Sequence, residues 1–541
     1  MASVSSKSKL SRAAQSTFSR VLDLCKRRAF LIPGSEIYGG LASQYDYGPL
    51  ATIIKNNLRQ LWTVSFMNRR DCMPIESSII MNRKVWETAG HVDNFADILV
   101  ECHKCHHRYR LDHLLPDYKL PSDSAQDSLQ LYTEAMSQYQ PRCSDSNCHG
   151  NLSSPRYFNM LFETSASCSG TDQRVYLRPE TAQGVYVNFH HLARSSRRSL
   201  PFGVGQIGKS FRNEISPGPS IFRTKEFEQA ELQWFCIPGT DQDWHQYWID
   251  YCTNWLLDLG IRPESILHVK HEQLAHYAKA TTDIEFNFGF ESGDNGWGEL
   301  WGISNRGDHD LLAHQKASGQ KMHCRLADGS ECIPYVIEPA LGLDRLLLAL
   351  LIDSFQQETV NGRQRNVLRL DWKVAPYQVA VFPIVANNDR LRSFSDQLVD
   401  RLLASNIRAD YDCKGSIGRR YRRHDEIGTP VCITVDDQTL NDETVTPFAY
   451  SLKHVHKRDT SKLKQICSRS PYKMPAQLQI NGDASKDTLL QRMTHPLQDM
   501  YNRYFGHPIL RTLHLRLIRN AAIFGTSIFL SKTYGHLLLN E

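Results

Sequence analysis

The chain has 541 residues, 41% of them hydrophobic and 22% charged, which predicts a globular protein of two to four domains. Gly and Pro are about a tenth of the residues, and the longest apolar run, Leu346–Ile352, is seven residues. Collagen-like and low-complexity proteins are excluded, as are membrane-spanning ones, which need about 20 apolar residues in a row, so a soluble protein is expected. The net charge of +5 divides into +9 for residues 447–541 and −4 for the rest, so a nucleic-acid partner must be argued from local patches.

The first 22 residues contain seven Ser, four Lys or Arg and no acidic residue. This composition is weakly similar to a mitochondrial transit peptide. A short solvated extension is favoured, because apolar residues at helical spacing already begin at Phe18. We assign residues 1–21 to an N-terminal extension and predict a cytoplasmic protein, with mitochondrial targeting as the alternative. Fourteen cysteines without a secretory segment indicate free thiols.

Two cysteine pairs, Cys102 with Cys105 and Cys143 with Cys148, flank a polar stretch. Gaps of two and four residues both let two thiolates meet one tetrahedral Zn²⁺. We predict a structural zinc site in an insertion at about residues 95–155, without an open position for catalysis. The alternative is four ordinary thiols, and nearby histidines could replace single ligands: His103, His106, His107 and His149.

A charged and aromatic cluster follows, in which Phe211–Glu214 is succeeded by Arg223 and Phe227. Residues two apart face the same side of a hairpin, so Arg212 and Glu214 are expected to point into one site. Arginine suits phosphates, an aromatic ring stacks on a base, and a carboxylate accepts from an exocyclic amine. The cluster predicts a nucleotide site, with a charged hairpin bearing surface ion pairs as the alternative.

A second string, Glu338–Arg345, runs directly into the apolar run Leu346–Ile352. Gly342 permits a close backbone approach to a ligand, and Arg345 stands where a strand would pass into a buried helix. A single Gly-x-x-Arg has no specificity, but beside the preceding cluster it supports a second part of the same site.

The character of the sequence changes near Ala375, which predicts a domain boundary at about residues 370–376. A strand at Val379–Pro383, apolar residues at helical spacing over 389–404 and a strand at Ile433–Val435 predict a small α/β domain.

Within that domain, one run has an aromatic ring among four guanidinium groups, those of Arg419, Arg420, Arg422 and Arg423. Such a patch suits RNA phosphates and bases exposed in a single-stranded loop. A charged helix start with internal partners, Asp425 and Glu426, is the alternative.

These strings together resemble a known family. Phe211–Glu214 with Arg223 and Phe227 is similar to motif 2 of class II aminoacyl-tRNA synthetases, and Gly342–Arg345 is similar to motif 3. The subtype resembled is the dimeric glycyl-tRNA synthetase, through Ser35–Leu41, Tyr45–Pro49, Ser77–Met81, Ala89–Asp93, Leu177–Gly184 and Gly415–Tyr421. The resemblance extends from about residue 22 to residue 446.

The resemblance implies an α+β protein with a class II antiparallel-sheet catalytic domain at 22–372 and a C-terminal α/β anticodon-binding domain at 373–446. Residues 447–541 are expected to form an atypical basic tail, either a lineage-specific tRNA-binding appendage or an altered C-terminal end. A homodimer is also implied, with a predicted helix at Tyr47–Phe66 in the region of the motif 1 interface. Its apolar stripe could equally be internal core: Leu50, Ile54, Leu58, Leu61 and Trp62.

The implied activity is glycine–tRNA ligation, in which ATP and glycine form glycyl-adenylate and the glycyl group passes to the 3′ end of tRNA(Gly). Displacement at phosphorus needs fixed cations and in-line positioning more than a strong base. Arg212 would hold the α-phosphate and the attacking carboxylate, and Arg223 and Arg345 would hold the pyrophosphate end. Phe227 would stack on adenine beside Glu214.

Mg²⁺ is the expected cofactor with ATP, held with the help of Glu299 because it prefers hard oxygen ligands. Arg212 and Arg345 are the predicted catalytic residues. The full predicted ATP-binding set is Arg212, Asn213, Glu214, Phe222, Arg223, Phe227, Glu299, Leu300, Gly342, Leu343, Asp344 and Arg345.

Glycine has no side chain to grip, so its site must bind ammonium and carboxylate and exclude a methyl group sterically. The family usually has Ser at position 340, and the Ala340 of this chain predicts weaker glycine binding. Trp301, where the family more often has an acid, is a second departure near Glu299. The resemblance assigns the glycine site to Arg110, Glu180, Glu231 or Glu228, Glu338 and Ala340.

Two other classes of protein compete with this interpretation. A non-catalytic synthetase-like RNA-binding protein is expected to lose the nucleotide-holding residues, all of which are present. A synthetase for another amino acid is disfavoured by the glycyl-type strings and would need a larger pocket, for which Ala340 is the one hint.

Overall fold

The computed structural model describes residues 17–115, 128–145, 147–166, 174–196, 198–215, 218–272, 274–275, 278–289, 296–326, 328–360, 362–442 and 445–449. No helix in these ranges has both the length and the apolar character needed to cross a membrane. Most of the predicted extension 1–21 and all but three residues of the predicted tail 447–541 lie outside the described residues.

The N-terminal part of the chain combines helices with short strands. Helix α2 buries the predicted apolar residues Ile54, Leu58 and Trp62 and continues as a π-helical turn, Thr63–Met67. The helix predicted at Tyr47–Phe66 is thus confirmed, with a change of helix type at its end. The elements are α1 (described over 17–27), β1 (Leu31–Pro33), β2 (Tyr45–Tyr47), α2 (Pro49–Trp62), β3 (Cys72–Pro74), β4 (Ile80–Asn82), α3 (Arg83–Thr88), α4 (His91–Asn94), β5 (Ala96–Glu101), β6 (Arg108–Arg110), α5 (Leu111–Leu114), α6 (Ser128–Tyr139), β7 (Arg156–Asn159), β8 (Phe162–Ser165) and β9 (Arg174–Leu177).

Strands β5, β6 and β7 form a separate antiparallel sheet that carries the cysteine pairs. Tyr132 and Ala135 of α6 pack with Val100 and Leu111 in a small core of their own. The chain enters this unit through β5 and leaves it through the neighbouring strand β7.

A seven-stranded sheet forms the centre of the large domain, in the order β12-β13-β14-β17-β11-β10-β3. Its neighbours pair antiparallel except β3 with β10, which are parallel. The predicted antiparallel-sheet domain is confirmed. The elements of this part are α7 (Ala182–Tyr186), α8 (Phe189–Ser196), β10 (Phe202–Phe211), β11 (Glu226–Cys236), α9 (Asp241–Asp258), β12 (Ile266–Lys270), β13 (Ala280–Asn287), β14 (Trp297–Gly307), α10 (His309–Ser318), β15 (Cys324–Arg325), β16 (Glu331–Cys332), β17 (Tyr335–Gly342), α11 (Leu343–Ser354), β18 (Phe355–Val360) and β19 (Arg363–Leu368).

Helix α11 is apolar on nearly all sides, and a helix of this kind must be buried. Its residues Leu346–Ile352 pack in one core with α2 and α9. Strand β17 passes directly into α11 at Gly342, as the sequence predicts, so Arg345 is fixed at the start of a rigid helix.

The C-terminal sheet has the order β21-β20-β22-β23, with β20 parallel to both β21 and β22. The predicted strand 379–383 and helix 389–404 are confirmed, and the strand predicted at 433–435 starts two residues earlier. Helix α12 packs against one face of this sheet and α13 against the other. The elements are β20 (Val379–Pro383), α12 (Asp389–Ala404), β21 (Ala409–Tyr411), α13 (Ile417–Ile427), β22 (Val431–Val435), α14 (Asp437–Asp442) and β23 (Thr446–Ala449).

Candidate active site

An open cavity lies where the β10–β11 loop meets strands β14 and β17 and the start of α11. Ala340 of the predicted glycine site lies in its wall. Nine of the twelve predicted ATP-binding residues line it: Arg212, Glu214, Phe222, Arg223, Phe227, Glu299, Gly342, Asp344 and Arg345.

The other three predicted ATP-binding residues are placed elsewhere. Leu300 and Leu343 belong to the hydrophobic core. Asn213 accepts a hydrogen bond from Lys225 Nζ at 3.0 Å, beside the cavity and not among its lining residues.

Arg345 spans the cavity from α11 to β14. Its Nη1 donates to the Glu299 carboxylate at 2.9 Å and to the Glu299 carbonyl at 2.8 Å. Its Nε donates to the Phe222 carbonyl at 3.1 Å, and its guanidinium lies 4.4 Å from the centre of the Phe222 ring. This arrangement brings a cation and a carboxylate to one edge of the cavity.

The Arg212 guanidinium lies over two aromatic rings, 5.4 Å from the centre of Phe95 and 5.3 Å from that of Phe227. Its Nε donates to the carbonyl of Pro179 at 3.1 Å. On the opposite side of the loop, Arg223 lies 3.7 Å from Glu214. The two motif 2 arginines are thus both in the cavity wall, as predicted.

A buried ion network borders the cavity between α2 and the start of α11, and its residues Glu228 and Asp344 line the cavity. Asp344 accepts hydrogen bonds from Tyr47, from Lys55 and from the backbone N–H of Glu228. Both carboxylate oxygens of Glu228 are occupied by Arg59, at 2.9 and 2.7 Å, and Lys55 lies 3.2 Å away. Of the two alternatives for the glycine site, Glu228 is therefore engaged by helix α2.

Glu231, the other alternative, lies directly opposite Ala340 in the β11–β17 pair and belongs to a buried acidic cluster. Arg306 is its central cation, with Nη1 3.0 Å from Glu338 and Nε 2.8 Å from Asp310. Glu180 lies 4.0 Å from Arg306 and 3.4 Å from His91. Neutral donors complete the cluster: Thr181 to Glu231, Gln183 to Glu180 and Asp310, and Gln233 to Glu338.

The acidic cluster has too little positive charge for its carboxylates. Burial, with Glu338 and Glu180 nearby, raises the pKa of Glu231 to about 8. Burial also raises the pKa of Glu338, whereas for Glu180 the charges of His91 and Arg306 outweigh burial and lower the pKa. Four buried carboxyl groups around one guanidinium make a site that a small cation would stabilise.

Sequence reasoning missed Arg306, Asp310 and His91 as members of this cluster. The available signal was Arg306 near the end of strand β14, four residues before the acid Asp310. A charged residue in a buried strand requires a partner.

Two further residues that the sequence places near the substrate are Arg110 and Trp301. Arg110 lies in the insertion, where it pairs with Asp97 and Asp112 at 2.8 Å each, and it does not line the cavity. Trp301 is fully buried in the aromatic core against Phe66. Trp301 is two residues from Glu299 in β14, but its side chain is in the core, and the β13–β14 pair has a bulge between the two positions.

The four cysteines of the insertion converge as predicted. The sulfurs of Cys102 and Cys148 are 3.6 Å apart, those of Cys105 and Cys143 are 3.5 Å apart, and all four lie within 4.8 Å of one another. A tetrahedral zinc with bonds of about 2.3 Å requires sulfur separations of about 3.8 Å. A Cβ on Gly150 would come within 2.7 Å of the Cys102 sulfur, so this turn needs glycine.

The predicted RNA patch divides into two pairs. Arg419 and Arg422 are exposed on α13. Arg420 is only 2% exposed and donates to the carbonyls of Gly415 and Pro383, so its placement removes it from the predicted surface. Arg423 is held by Asp412 at 2.8 Å. The alternative of internal partners thus holds for half of the patch, although the partners are not the predicted ones.

Comparisons with known proteins agree with this geometry. Residues 162–354 match the "tRNA synthetase class II core domain (G, H, P, S and T)", and residues 378–463 match the "Anticodon binding domain". A glycine–tRNA ligase of Caldanaerobacter subterraneus is 46% identical over 442 residues, which is 80% of this chain and 93% of that protein. One from Bifidobacterium longum is 44% identical over 84% of this chain and 91% of that protein.

Proposed function

The chain belongs to the glycine–tRNA ligases, class II aminoacyl-tRNA synthetases, and from this premise we propose how its residues activate glycine and charge tRNA(Gly). The observation that carries the proposal is the buried acidic cluster beside the arginine-lined cavity. A cation site and a nucleotide site are thereby adjacent, which the joining of glycine to ATP requires. The alternative of a non-catalytic relative is set aside.

ATP occupies the cavity between the β10–β11 loop and α11. Adenine stacks on Phe227 near Glu214, while Arg223 and Arg345 hold the pyrophosphate end. Arg212 faces the α-phosphate and the attacking glycine carboxylate. Preorganised cations of this kind stabilise the charge that develops at phosphorus and fix the in-line geometry.

The ammonium group of glycine is bound by Glu180, Glu231 and Glu338, which Arg306 holds in place. Ammonium supplies the positive charge that the cluster lacks, and this favours the ionised form of Glu231. Ala340, opposite Glu231 in the sheet, forms the adjacent wall. A tight wall rejects larger amino acids by clash, since attraction alone distinguishes one methyl group by only about 1–3 kcal/mol.

Mg²⁺ fits the carboxylate of Glu299, which faces the same cavity as the phosphate-binding arginines. When bound, it would neutralise phosphate charge. Zn²⁺ fits the four cysteines of the insertion and would hold that unit together. Both ions belong to the proposal.

Transfer RNA is proposed to contact the exposed Arg419 and Arg422 of α13. Their positive charge suits phosphates, and they lie in the domain that matches the anticodon-binding family. A homodimer and a cytoplasmic location complete the proposal as predictions.

Amino-acid-dependent ATP–pyrophosphate exchange with Mg²⁺ tests the proposal. We expect exchange with glycine and none with alanine or serine. Arg212→Ala should lower it by at least about 10²-fold through the loss of charge stabilisation at phosphorus. Exchange with alanine would contradict the proposed size selection at Ala340, and no exchange with any amino acid would sink the assigned roles.

A further inference from the structure

Phe95 lies between α4 and β5, where the chain leaves the catalytic domain for the cysteine-bearing insertion. The centre of its ring lies 5.4 Å from the Arg212 guanidinium, which lies 5.3 Å from the centre of the Phe227 ring. Among the described residues, Pro179 O is the only hydrogen-bond acceptor for the Arg212 side chain. The position of this guanidinium therefore depends chiefly on two rings and one carbonyl.

The backbone of Phe95 also reaches the loop that carries Arg212. Met160 N–H donates to Phe95 O at 3.0 Å, and Asn213 N–H donates to Met160 O at 2.7 Å. Met160 follows β7, the strand by which the chain returns from the insertion. Both connections of the insertion are thus hydrogen-bonded in series to the residue next to Arg212.

The same short segment touches the acidic cluster. The ring of His91 packs on that of Phe95 at 5.5 Å, and its Nε2 lies 3.4 Å from Glu180. The ring of Trp86 also packs edge-on against that of His91, with the ring centres 5.3 Å apart. One wall of side chains therefore contacts both the arginine of the nucleotide cavity and a carboxylate of the ammonium site.

We propose that Phe95 is a positioning residue for glycine activation: its ring holds Arg212 in the place where that guanidinium acts on the reacting phosphate. The inference rests on the proposed function, because it assigns Phe95 a role through Arg212. A guanidinium that lies over two aromatic rings is attracted by both and loses alternative rotamers. Preorganised charge is what phosphoryl displacement requires, so a loosened Arg212 lowers the rate of the chemical step.

The test replaces Phe95 by residues with and without a ring. Phe95→Leu is expected to lower kcat of glycine-dependent exchange about threefold to tenfold, the size of one lost cation–π contact. KM for glycine should change less than about twofold, because Phe95 does not touch the carboxylates. Phe95→Tyr keeps the ring face and should retain kcat within about twofold.

A double-mutant cycle separates positioning from general destabilisation. If Phe95 acts through Arg212, the loss caused by Phe95→Leu should shrink to less than about twofold in an Arg212→Lys background. Phe394→Leu, at a half-buried position of the C-terminal domain, is the matched control and should leave exchange unchanged. Thermal unfolding of every variant checks folding, and Phe95→Met replaces Phe95→Leu if the latter does not fold.

Three results would overturn the inference: unchanged kcat in the ringless variants, an equal loss in Phe95→Tyr, or a full loss in the Arg212→Lys background. A wild-type enzyme without glycine-dependent exchange would instead sink the proposed function and the inference with it. The two failures are therefore distinguished by the wild-type measurement.

Discussion

At the scale of single residues, the acidic cluster shows how burial changes the pKa of ordinary carboxyl side chains. Burial raises the pKa of Glu231 and of Glu338, and the guanidinium of Arg306 lies 3.0 Å from Glu338. With a pKa of about 8, Glu231 holds a proton at neutral pH, and a nearby cation favours its ionised form. In the proposed function, glycine binding at this cluster is therefore linked to proton release from Glu231.

This linkage predicts a pH dependence. The folded pKa of Glu231 is about 8, above its ordinary value of 4.5, so the protonated form is the stable one at neutral pH and is lost as the pH rises through 8. Ammonium binding needs the ionised form, so KM for glycine should fall by up to about tenfold for each pH unit between 6 and 8. Steady-state ATP–pyrophosphate exchange over this pH range measures KM for glycine.

Glu231→Gln is the matched variant, since it keeps the shape of the side chain and removes its titratable carboxyl group. It should bind glycine more weakly and with a flat pH profile. Calorimetry in two buffers of different ionisation enthalpy should show proton release for the wild type alone. A flat wild-type profile would contradict the assignment of Glu231 to the ammonium site.

At the scale of elements, the helix at 389–404 and the change from strand to helix at Gly342 could be predicted from the sequence. The helical spacing of apolar residues determines the first, and the position of a glycine before an apolar run determines the second. The bulge between β13 and β14 was not predictable, since one extra residue reverses the facing of Trp301 without a pattern in the sequence. The partners of Arg306 lie on three different elements and depend on the tertiary fold. The contacts of Glu228 with α2 likewise depend on the tertiary fold.

The insertion allows a prediction about metal content. Cys143→Ser removes one of four converging thiolates and should lower zinc from about one per chain to near zero, because structural sites need all four ligands. Elemental analysis of the purified chain measures it. Cys413→Ser, a half-exposed thiol of the C-terminal domain, should leave the zinc content unchanged. A wild type purified without zinc from zinc-supplemented cells would contradict the assignment.

At the scale of the whole molecule, the catalytic part and the C-terminal domain are joined through one face of α13. Glu426 pairs with Arg28 at 2.6 Å and Arg27 at 3.2 Å, and Asp425 pairs with Arg365 of β19 at 3.1 Å. Charged contacts that are partly exposed are individually weak and screened by salt. This joint places α13 and its exposed arginines relative to the catalytic cavity.

Glu426→Gln should therefore affect charging of tRNA and spare activation of glycine. We expect kcat/KM for tRNA aminoacylation to fall about twofold to fivefold, corresponding to a loss of up to about 1 kcal/mol, while exchange stays at the wild-type value. Glu331→Gln, on the exposed hairpin β15–β16, is the control and should change neither assay. Equal losses in both assays would show that Glu426 acts on the catalytic domain itself.

The path of the chain through β5 and β7 has a consequence for how this architecture can vary. Ala96 and Asn159 are partners in adjacent strands, so removing everything between them would leave two ends one strand spacing apart, about 4.8 Å. A tight turn could close that gap without opening the seven-stranded sheet. The cysteine-bearing unit thus has the geometry of an insertion that can be lengthened, replaced or deleted. Phe95 and Met160, which lie at its two connections to the catalytic domain, would keep their places.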